Sequence, residues 1–203
     1  MPGQLPLFSD DRSSPKGLSY AADFLTIAEE RELIERTAAL PLAPFQFGIY
    51  EGKRRVVYFG ARYDFTHQRL EPAEDLPDWI MPLVRRTEAF ASLPKGAIRH
   101  ALFTEYDVGA AIGWHRDKKH FDEVFGLSLA STCDIRFRRK SGSTWQRYAQ
   151  TCAPRSIYIL RGAARAVWEH SIAPVKEKRY SITFRTLAEP TMAGDRGASP
   201  LTE

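Results

Sequence analysis

"RYSITFR", residues 179–185, alternates polar and apolar side chains without a break. Successive residues of a β-strand point to opposite faces of the sheet, so the pattern predicts a strand with two unlike faces. We expect Tyr180, Ile182 and Phe184 to pack in a core. The opposite face carries four polar residues, which are Arg179, Ser181, Thr183 and Arg185. Either this face is solvated at a sheet edge, or it lines a site that uses two arginines.

Strand patterns dominate the chain from Ile98 onward. Residues 98–106 repeat with a period of two, which is typical of a strand. Short β-branched or aromatic runs follow, and they are "VFGLSLA" (124–130), "TCDIRFRRK" (132–140), "TWQRYAQT" (144–151) and "RSIYILRG" (155–162). Turn sequences such as "KSGS" and "RGAA" separate them. Because no helix is predicted between these strands, we predict a double-sheet jelly roll.

Two helices are predicted ahead of the strands. Thr26 and Glu29 form a capping-box pattern at the start of the first, whose apolar residues at helical spacing are Ile27, Leu33, Ile34 and Ala38. The second begins near Pro77 and ends before Pro94, with an apolar stripe of Ile80, Leu83 and Val84. The predicted fold class is mainly β with flanking helices (α+β): a double-stranded β-helix (jelly-roll) core with the N-terminal helices packed on one sheet.

The 203-residue chain is long enough for one domain, and its net charge of +4 is small. We predict that this domain covers residues 18–187, with the β-rich core at 98–187, between disordered segments at 1–17 and 188–203. Two cysteines without a CxxC pair argue against a disulfide framework or a cysteine-rich zinc site. The chain shows no membrane-length apolar run and no signal-peptide pattern, so we expect a location in the cytoplasm, or in the nucleus if the source is eukaryotic, without a membrane partner. We also expect a monomer.

A histidine and an aspartate stand two residues apart in "GWHRDKKHF", residues 113–121. Residues two apart on a strand share a face, so His115 and Asp117 can point into one cavity. His170, several predicted strands later, offers a second imidazole. Two histidines and one carboxylate leave about three coordination positions of a cation open, as in non-haem Fe(II) oxygenases. His120 is a competing ligand, and an ordinary structural His–Asp pair is the simpler alternative.

The two arginines of the 179–185 strand bear on the same site. Their long side chains can lean toward a dicarboxylate held between them and form bidentate hydrogen bonds. A hydrolase in which Zn²⁺ activates water is another use of two histidines and an aspartate, but hydrolysis does not need a dicarboxylate clamp.

Three segments together resemble the AlkB family of Fe(II)/2-oxoglutarate-dependent dioxygenases: "TEYDVGAAIGWHRDKKHF" (104–121), "GLSLASTCDIRFRRK" (126–140) and "HSIAPVKEKRYSITFR" (170–185). The likeness covers about residues 45–187, and the order and spacing of its motifs match the family. It implies an enzyme that uses Fe(II), 2-oxoglutarate and O₂. Such an enzyme hydroxylates the N-methyl group of a nucleobase such as 1-methyladenine or 3-methylcytosine in DNA or RNA, and formaldehyde, succinate and CO₂ are released.

The resemblance also implies roles for particular residues. The iron ligands would be His115, Asp117 and His170. Arg179 would pair with the distal carboxylate of 2-oxoglutarate, Arg185 would frame the same pocket, and Tyr106 matches the family's co-substrate-contacting tyrosine. Thr104 and Ser181 stand where the family often has Asn, so we expect altered co-substrate contacts there.

Lys119 departs from the family pattern in the substrate region. Well-characterised DNA-repair members have an acidic residue two positions beyond the metal-binding Asp, where it accepts a hydrogen bond from the exocyclic amine of the base. A lysine cannot accept a hydrogen bond. Either Asp122 or Glu123 takes over as acceptor, or the preferred base or nucleic acid differs.

The segment "YFGARYDF", residues 58–65, resembles more loosely the nucleotide-recognition lid of the family, which we place at about 45–65. A base inside a duplex cannot reach a buried metal, so we expect a single-stranded or flipped-out substrate that stacks on aromatic rings. The stacking residues would be Tyr63, with Phe59 and Phe65 behind it, and the phosphate contacts would be Lys53, Arg54 and Arg55.

Three alternatives stay open at this point. The 45–65 segment can instead be a core hairpin whose aromatic side chains pack beneath the sheet. The whole domain can be a catalytically silent jelly roll that binds nucleic acid through its basic patches at residues 51–65 and 136–140. Finally, an AlkB-like oxygenase can act on a protein or a small molecule instead of nucleic acid.

Overall fold

The computed structural model describes residues 14–47, 50–64, 67 and 69–188. Within them the chain forms thirteen strands and three α-helices. The strands are Leu18–Ala21 (β1), Ala43–Phe47 (β2), Tyr50–Phe59 (β3), Ala61–Asp64 (β4), Arg69–Pro72 (β5), Ile98–Tyr106 (β6), Ile112–His115 (β7), Phe121–Leu129 (β8), Cys133–Ser141 (β9), Thr144–Cys152 (β10), Ile157–Leu160 (β11), Glu169–Ile172 (β12) and Arg179–Leu187 (β13). The helices are Ile27–Ala38 (α1), Met81–Phe90 (α2), which follows a 3₁₀ turn at Asp78–Ile80, and Gly162–Ala166 (α3).

Two antiparallel sheets form the core. The larger sheet has seven strands in the order β1-β11-β8-β13-β6-β3-β2, and the smaller has four in the order β10-β9-β12-β7. Strands far apart in sequence are neighbours, since β13 lies between β6 and β8, and β12 lies between β7 and β9. The predicted fold class, a jelly-roll core with flanking helices, is confirmed.

Helices α1 and α2 cover one face of the larger sheet. Leu33 of α1 and Val84 of α2 share a buried cluster with Phe103, Phe125 and Ile182 of the sheet. Full burial of such a side chain contributes about 1.5–3 kcal/mol, so this layer is a major source of stability. None of the described helices combines the length and the apolarity that crossing a bilayer takes.

Helix α1 begins at the predicted capping box. The Thr26 hydroxyl accepts a hydrogen bond from the Glu29 amide, and the Glu29 carboxylate accepts one from the Thr26 amide. Ile27, which the helical pattern placed on the apolar stripe, is 66% exposed. Glu30 is buried instead, because its carboxylate accepts a hydrogen bond from the Ala130 amide at the end of β8.

A second buried cluster fills the space between the two sheets. Val124 of the larger sheet packs there with Ile135 and Phe137 of the smaller sheet. Arg185 of β13 is the direct partner of Val124 in β8, so the polar face of β13 points into this same space. The apolar face, with Phe184, belongs to the cluster under the helices. The two unlike faces predicted for β13 are confirmed.

Two segments differ from the sequence-based expectation. "RGAA" was predicted as a turn, but it leads into helix α3. The expected disorder of residues 1–17 does not extend to its last residues, because Gly17 and Lys16 accept hydrogen bonds from the amides of Arg161 and Ala164. Gly17 has φ +93°, and a Cβ there would lie 2.1 Å from the Arg161 carbonyl oxygen, so glycine is required. Residues 1–13 and 189–203 lie outside the described residues.

The region predicted as a lid extends the larger sheet. β2 and β3 pair as an edge hairpin, and β3 also pairs with β6 through residues 54–59. β4 then leaves the sheet and pairs with β5. Because adjacent residues of β3 point to opposite faces, this strand supplies side chains both to the core and to the space between the sheets.

Candidate active site

His115 and His170 lie side by side on neighbouring strands of the smaller sheet. They are direct partners in the β7–β12 pairing, and their ring centroids are 4.3 Å apart. Asp117 follows the end of β7, and its Oδ2 lies 3.5 Å from Nε2 of His170. Side chains from two remote parts of the sequence thus meet at one end of the space between the sheets, where all three line an inner cavity.

The protonation states of this cluster suit a divalent cation. The Nδ1–H of His115 donates to the Gly113 carbonyl at 2.9 Å, which leaves Nε2 as the ring nitrogen that can act as the ligand atom. Burial lowers the pKa of His170 to about 3, so its ring is neutral at physiological pH. Burial by itself would raise the pKa of Asp117, but the positive charge of Arg185 brings it below its ordinary value.

One carboxylate oxygen of Asp117 is available to a ligand. Oδ2 is buried and has no hydrogen-bond partner within the described part of the chain. A buried carboxylate oxygen without a partner costs free energy unless a cation or a donor meets it. Two imidazoles and such a carboxylate are ligands that fit Fe(II) and other first-row divalent metals.

Arg185 ties Asp117 to the larger sheet. Its Nε and Nη2 donate to Oδ1 of Asp117 at 3.0 and 2.9 Å. Its Nη1 donates to Nδ1 of His100 at 3.3 Å. Burial, and next the charge of Arg185, lower the pKa of His100 well below its ordinary value, which keeps this nitrogen free to accept. The predicted clamp of two arginines on one dicarboxylate is therefore wrong for Arg185, because its donors are engaged by Asp117 and His100.

Arg165 of α3 holds the loop that follows Asp117. Its Nη2 donates to the carbonyl oxygens of Lys118 and Phe121 at 2.6 and 2.7 Å. Sequence reasoning missed this residue. A basic side chain in a short helix gives no sign of which carbonyls it will meet, because that depends on how α3 packs against the loop.

Arg179 is the other arginine of β13, and it is 1% exposed. Its Nε and Nη2 donate to Oγ of Ser128 at 3.3 and 3.2 Å, and its guanidinium lies 4.8 Å from the ring centroid of Tyr106. Its Nη1 is buried and meets no hydrogen-bond partner among the described residues. A buried guanidinium with an unused donor fits an anionic ligand such as a carboxylate.

The inner cavity has a volume of about 80 Å³. Thr104 and Tyr106 line it, and Oγ of Ser181 donates to the Tyr106 hydroxyl at 3.5 Å. Tyr158, which the sequence analysis did not single out, lines it as well. Its ring crosses above Gly126, where a Cβ would lie 2.1 Å from a ring carbon, so the absence of a side chain at this glycine makes room for the tyrosine.

A larger outer cavity of about 410 Å³ opens beside the same His115 and Asp117. Its aromatic lining consists of Phe45, Tyr58, Tyr63, Trp114 and Phe121, and its charged lining consists of Arg54, Arg116, Asp117, Lys118 and Arg185. Tyr63, the predicted stacking residue, lies at this cavity with the Lys118 ammonium 4.8 Å from its ring centroid. The volume falls within the range of about 300–1,000 Å³ that is typical of small-molecule sites.

The model of the 2OG-Fe(II) oxygenase superfamily matches residues 17–185 of the chain. The chain belongs to this superfamily. The matched region is accordingly a dioxygenase domain of the kind that uses Fe(II), 2-oxoglutarate and O₂, and the AlkB-like character predicted from the sequence is confirmed.

Individual relatives of this oxygenase are distant. The "Alkylated DNA repair protein ALKBH8 homolog" of Arabidopsis thaliana is 28% identical over 187 residues, which cover 80% of this chain and 52% of that protein. The Mus musculus "tRNA (carboxymethyluridine(34)-5-O)-methyltransferase ALKBH8" is 28% identical over 172 residues, which cover 80% of this chain and 25% of that protein. The chain thus spans about half of the first relative and a quarter of the second. Among solved structures, OsALKBH1 superposes with a TM-score of 0.64 at 16% sequence identity. The superposition covers 86% of this chain and 99% of that chain, and it shows that the two share a fold.

The predicted aromatic platform is only partly present in the oxygenase. Phe59 is 5% exposed and packs edge-on against Phe103 in the core under the helices, with ring centroids 5.6 Å apart. The prediction that it supports a stacked base is wrong, and the core-hairpin alternative holds at this position. Tyr58 lines the outer cavity instead, because the alternation along β3 turns it to the other face. Phe65 lies outside the described residues.

The basic residues of β3 are divided in the same way. Arg54 lines the outer cavity with its guanidinium 3.9 Å from the ring centroid of Phe45, and burial lowers its pKa. Arg55 points to the opposite face, where it donates to the Glu105 carboxylate at 3.1 Å and to the Leu42 carbonyl at 2.9 Å. Its predicted phosphate contact is therefore wrong. Lys53 is exposed and does not line either cavity.

The predicted substitutes for the missing acidic residue do not reach the cavity. Lys119 is exposed and lies outside the lining of the outer cavity, as do Asp122 and Glu123. Glu123 forms an ion pair with Arg161 at 2.7 Å instead. Among the described lining residues, Asp117 is the only carboxylate.

A second group of metal-binding side-chain types lies on the β4–β5 hairpin. Asp64, His67 and Glu71 have ligand atoms within 4.8 Å of one another. The hydrogen bond that the His67 ring donates to the Asp64 carboxylate raises the pKa of His67, which favours a protonated ring that cannot ligate. Glu71 is already paired with Arg62 and Arg69 at 3.0 and 3.3 Å. We assign no cation to this group.

Proposed function

We propose that the protein oxidatively demethylates N-alkylated nucleobases in single-stranded or flipped-out DNA or RNA and releases formaldehyde, succinate and CO₂. The observation that carries this proposal is the aromatic cavity of about 410 Å³ that reaches His115 and Asp117. The names of these two relatives refer to DNA repair and to tRNA, which supports nucleic acid as the substrate class. A monomer is sufficient for this function.

In this proposal His115, Asp117 and His170 bind Fe(II). The unpartnered Oδ2 of Asp117 and Nε2 of His170, 3.5 Å apart, would be two of the ligand atoms. Arg185 occupies Oδ1 of Asp117 and so orients the carboxylate. Bound Fe(II), with 2-oxoglutarate and O₂, supplies the hydroxylation of a C–H bond. The hydroxymethyl group formed on nitrogen leaves as formaldehyde, so the chain needs no nucleophile.

Arg179 is the proposed anchor of 2-oxoglutarate. Its unused Nη1 donor would receive the distal carboxylate, while Ser128 and Tyr106 hold the guanidinium in place. Thr104 and Ser181, which are direct partners in the β6–β13 pairing, would complete the polar contacts. Both residues have short side chains. Longer side chains at these positions would fill space in the inner cavity that the co-substrate needs.

The outer cavity would receive the base. Tyr63 and Tyr58 offer aromatic faces, and Arg54 presents donors to the oxygen or nitrogen atoms of the base edge. No described carboxylate pairs with Arg54, so its guanidinium is available to a substrate. These positions exclude water from the reacting methyl group once a base fills the cavity.

The charge of the outer cavity bears on which base is oxidised. Its described lining holds four cationic side chains, Arg54, Arg116, Lys118 and Arg185, and the single carboxylate of Asp117 is engaged by Arg185. 1-Methyladenine and 3-methylcytosine carry a positive charge at neutral pH, which like charges in a partly desolvated cavity disfavour. We therefore propose that neutral alkylated bases are better substrates than cationic ones.

Formaldehyde release from matched single-stranded oligonucleotides tests the proposal. N6-methyladenine is compared with 1-methyladenine, and 3-methyluracil with 3-methylcytosine, in one sequence context with Fe(II) and 2-oxoglutarate present. We expect release in both pairs, faster from the neutral member, and slower release when each strand is annealed to a complement. Succinate formation without formaldehyde from any oligonucleotide would instead point to a substrate that is not nucleic acid.

A further inference from the structure

The outer face of the smaller sheet is rich in arginine and tryptophan. Ile135 and Phe137 of β9 are buried between the sheets, so the residues that alternate with them point outward. Direct pairing of β9 with β10 places Arg147 opposite Arg138 on this outer side. We name this surface the Arg–Trp face, and it consists of Trp114, Arg136, Arg138, Lys140, Trp145 and Arg147.

Stacking holds Arg136, Arg138 and Lys140 of this face in place. The guanidinium of Arg138 lies between two indoles, 4.4 Å from the ring centroids of Trp114 and Trp145. Arg136 lies 5.3 Å from Trp114, and the ammonium of Lys140 lies 5.6 Å from Trp145. Side chains held by cation–π contacts lose little further freedom when they bind a ligand, which favours their use in recognition.

The face carries more positive charge than its own acids neutralise. Glu169 of β12 pairs with Arg138 at 2.7 Å. Within the ranges that the structure describes, no carboxylate forms an ion pair with Arg136, Lys140 or Arg147. Three cations are thus available to an anionic partner.

The Arg–Trp face begins at the mouth of the outer cavity. Trp114 lines that cavity and also a groove of about 450 Å³ on the outer face, which Arg136 and Arg147 line as well. From β7 to β10 the face crosses three strand spacings, or about 14 Å. Asp134, at the opposite end of β9, is hydrogen-bonded to Thr151 and marks where the basic surface ends.

We propose that the Arg–Trp face binds the phosphodiester backbone of a single-stranded nucleic acid on one side of the base that occupies the outer cavity. This inference rests on the proposed function, because it needs a substrate that continues beyond one nucleoside. Regularly spaced phosphates match the row of cations, and the ring of Trp145, 38% exposed, is accessible to a neighbouring base. An acidic polypeptide would match the charge but would not stack on the indole.

Binding of the full chain to a fluorescein-labelled, unmodified single-stranded oligonucleotide, followed by anisotropy, tests this proposal. The test variant is Arg136→Glu/Arg147→Glu, and Arg136→Gln/Arg147→Gln is a milder version that removes the charges without adding acids. The matched control is Arg31→Glu/Arg85→Glu, which makes the same charge change at exposed positions of α1 and α2 on the helix side. We expect the test variant to weaken binding about tenfold or more, the milder variant to weaken it less, and both to reduce the salt dependence, with the control near wild type.

The outcomes separate this proposal from the proposed function. Equal weakening by the test and control variants would mean general charge attraction and would overturn the proposal. Wild-type affinity in both test variants, with oligonucleotide demethylation intact, would overturn it while the proposed function stands. If the wild-type protein oxidises 2-oxoglutarate but binds no oligonucleotide, both this proposal and the proposed function are contradicted. Displacement of the oligonucleotide by polyglutamate at equal charge concentration would assign the face to acidic polypeptides instead.

Activity on a free modified nucleoside gives an independent readout. A nucleoside has no neighbouring phosphates, so the test variant should demethylate it at the wild-type rate while its KM for an oligonucleotide rises about tenfold. Loss of nucleoside activity to the same extent would place Arg136 and Arg147 in the support of the cavity and would contradict a role confined to backbone binding.

Discussion

The two faces of strand β13 are buried to a similar degree but differ in chemistry. On one face Ile182 and Phe184 are 0% exposed and pack under the helices. On the other, Arg179 is 1% exposed and faces the space between the sheets. Burying an apolar ring stabilises the fold, whereas burying a guanidinium costs several kcal/mol unless partners compensate for it. The first face supports the fold, and the second is explained by the ligands it is proposed to hold.

The largest effect is expected at His170, a proposed metal ligand in the space between the sheets that the polar face of β13 also lines. We expect His170→Ala to reduce succinate formation by more than the roughly 100-fold that outer partners of metal ligands contribute, because one of three ligands is lost. The free energy of unfolding should change little without metal, since the removed ring has an unpartnered buried Nδ1. Turnover with saturating Fe(II) and thermal unfolding of the metal-free protein are the two measurements.

His67→Ala provides the matched control for this change. His67 is exposed on the β4–β5 hairpin, where we assign no cation. Its loss should leave both turnover and unfolding near wild type. Retained activity in His170→Ala would instead show that the ligand cluster is wrongly assigned, and His120 would then be the next ligand to test.

A change on the apolar face should have the opposite effect. Phe184→Ala is expected to cost about 3–5 kcal/mol of stability, because it leaves a cavity in the core under the helices. The KM for 2-oxoglutarate of the remaining folded enzyme should be unchanged. Urea unfolding measures the first quantity, and succinate formation at low temperature measures the second.

Phe90→Ala is the matched control, because it removes a phenyl ring from a position that is 49% exposed. It should cost much less, since little of its apolar surface is withdrawn from water. A raised KM for 2-oxoglutarate in Phe184→Ala would break the division between the two faces, because it would mean that packing on one side sets the geometry of the other.

A smaller effect is expected from Arg179→Lys. Lysine keeps the charge but loses the planar fork, so the hydrogen bonds to Ser128 and to the 2-oxoglutarate carboxylate cannot both be kept. We expect the KM for 2-oxoglutarate to rise about tenfold to a hundredfold, as the loss of a charged hydrogen bond of about 1.5–3 kcal/mol implies. Arg155→Lys, at a partly exposed ion pair with Glu30, is the control. An unchanged KM would exclude Arg179 as the anchor.

Much of the fold follows from local patterns. The period of two in residues 98–106 and 179–185, and the capping box at Thr26, predict elements that the structure contains, because these patterns depend on neighbouring residues. Helix α3 was missed because Gly162–Ala166 spans little more than one turn and is held by contacts with residues 16 and 17. Such contacts leave no periodic trace in the sequence.

The candidate site was predictable in its parts but not in its connections. The HxD pair, His170 and the two arginines of β13 were identified through their spacing and their resemblance to a family. The predicted partner of Arg185 was wrong. Whether this long side chain reaches a co-substrate or Asp117 depends on the distance between the two sheets. Phe59 was misplaced for a related reason, since the register of β3 against β6 decides which of two adjacent rings faces the cavity.

By itself, the sequence determined the strand-rich jelly roll, the order of the candidate ligands and the polar face of β13, because alternation and spacing are properties of consecutive residues. Only the tertiary structure decided that Arg185 holds Asp117, that Arg54 enters the outer cavity and that arginines and tryptophans stack on the outer sheet face. These contacts join residues from strands that are distant in the chain. Their geometry is set by sheet order, register and packing, which short-range patterns do not encode.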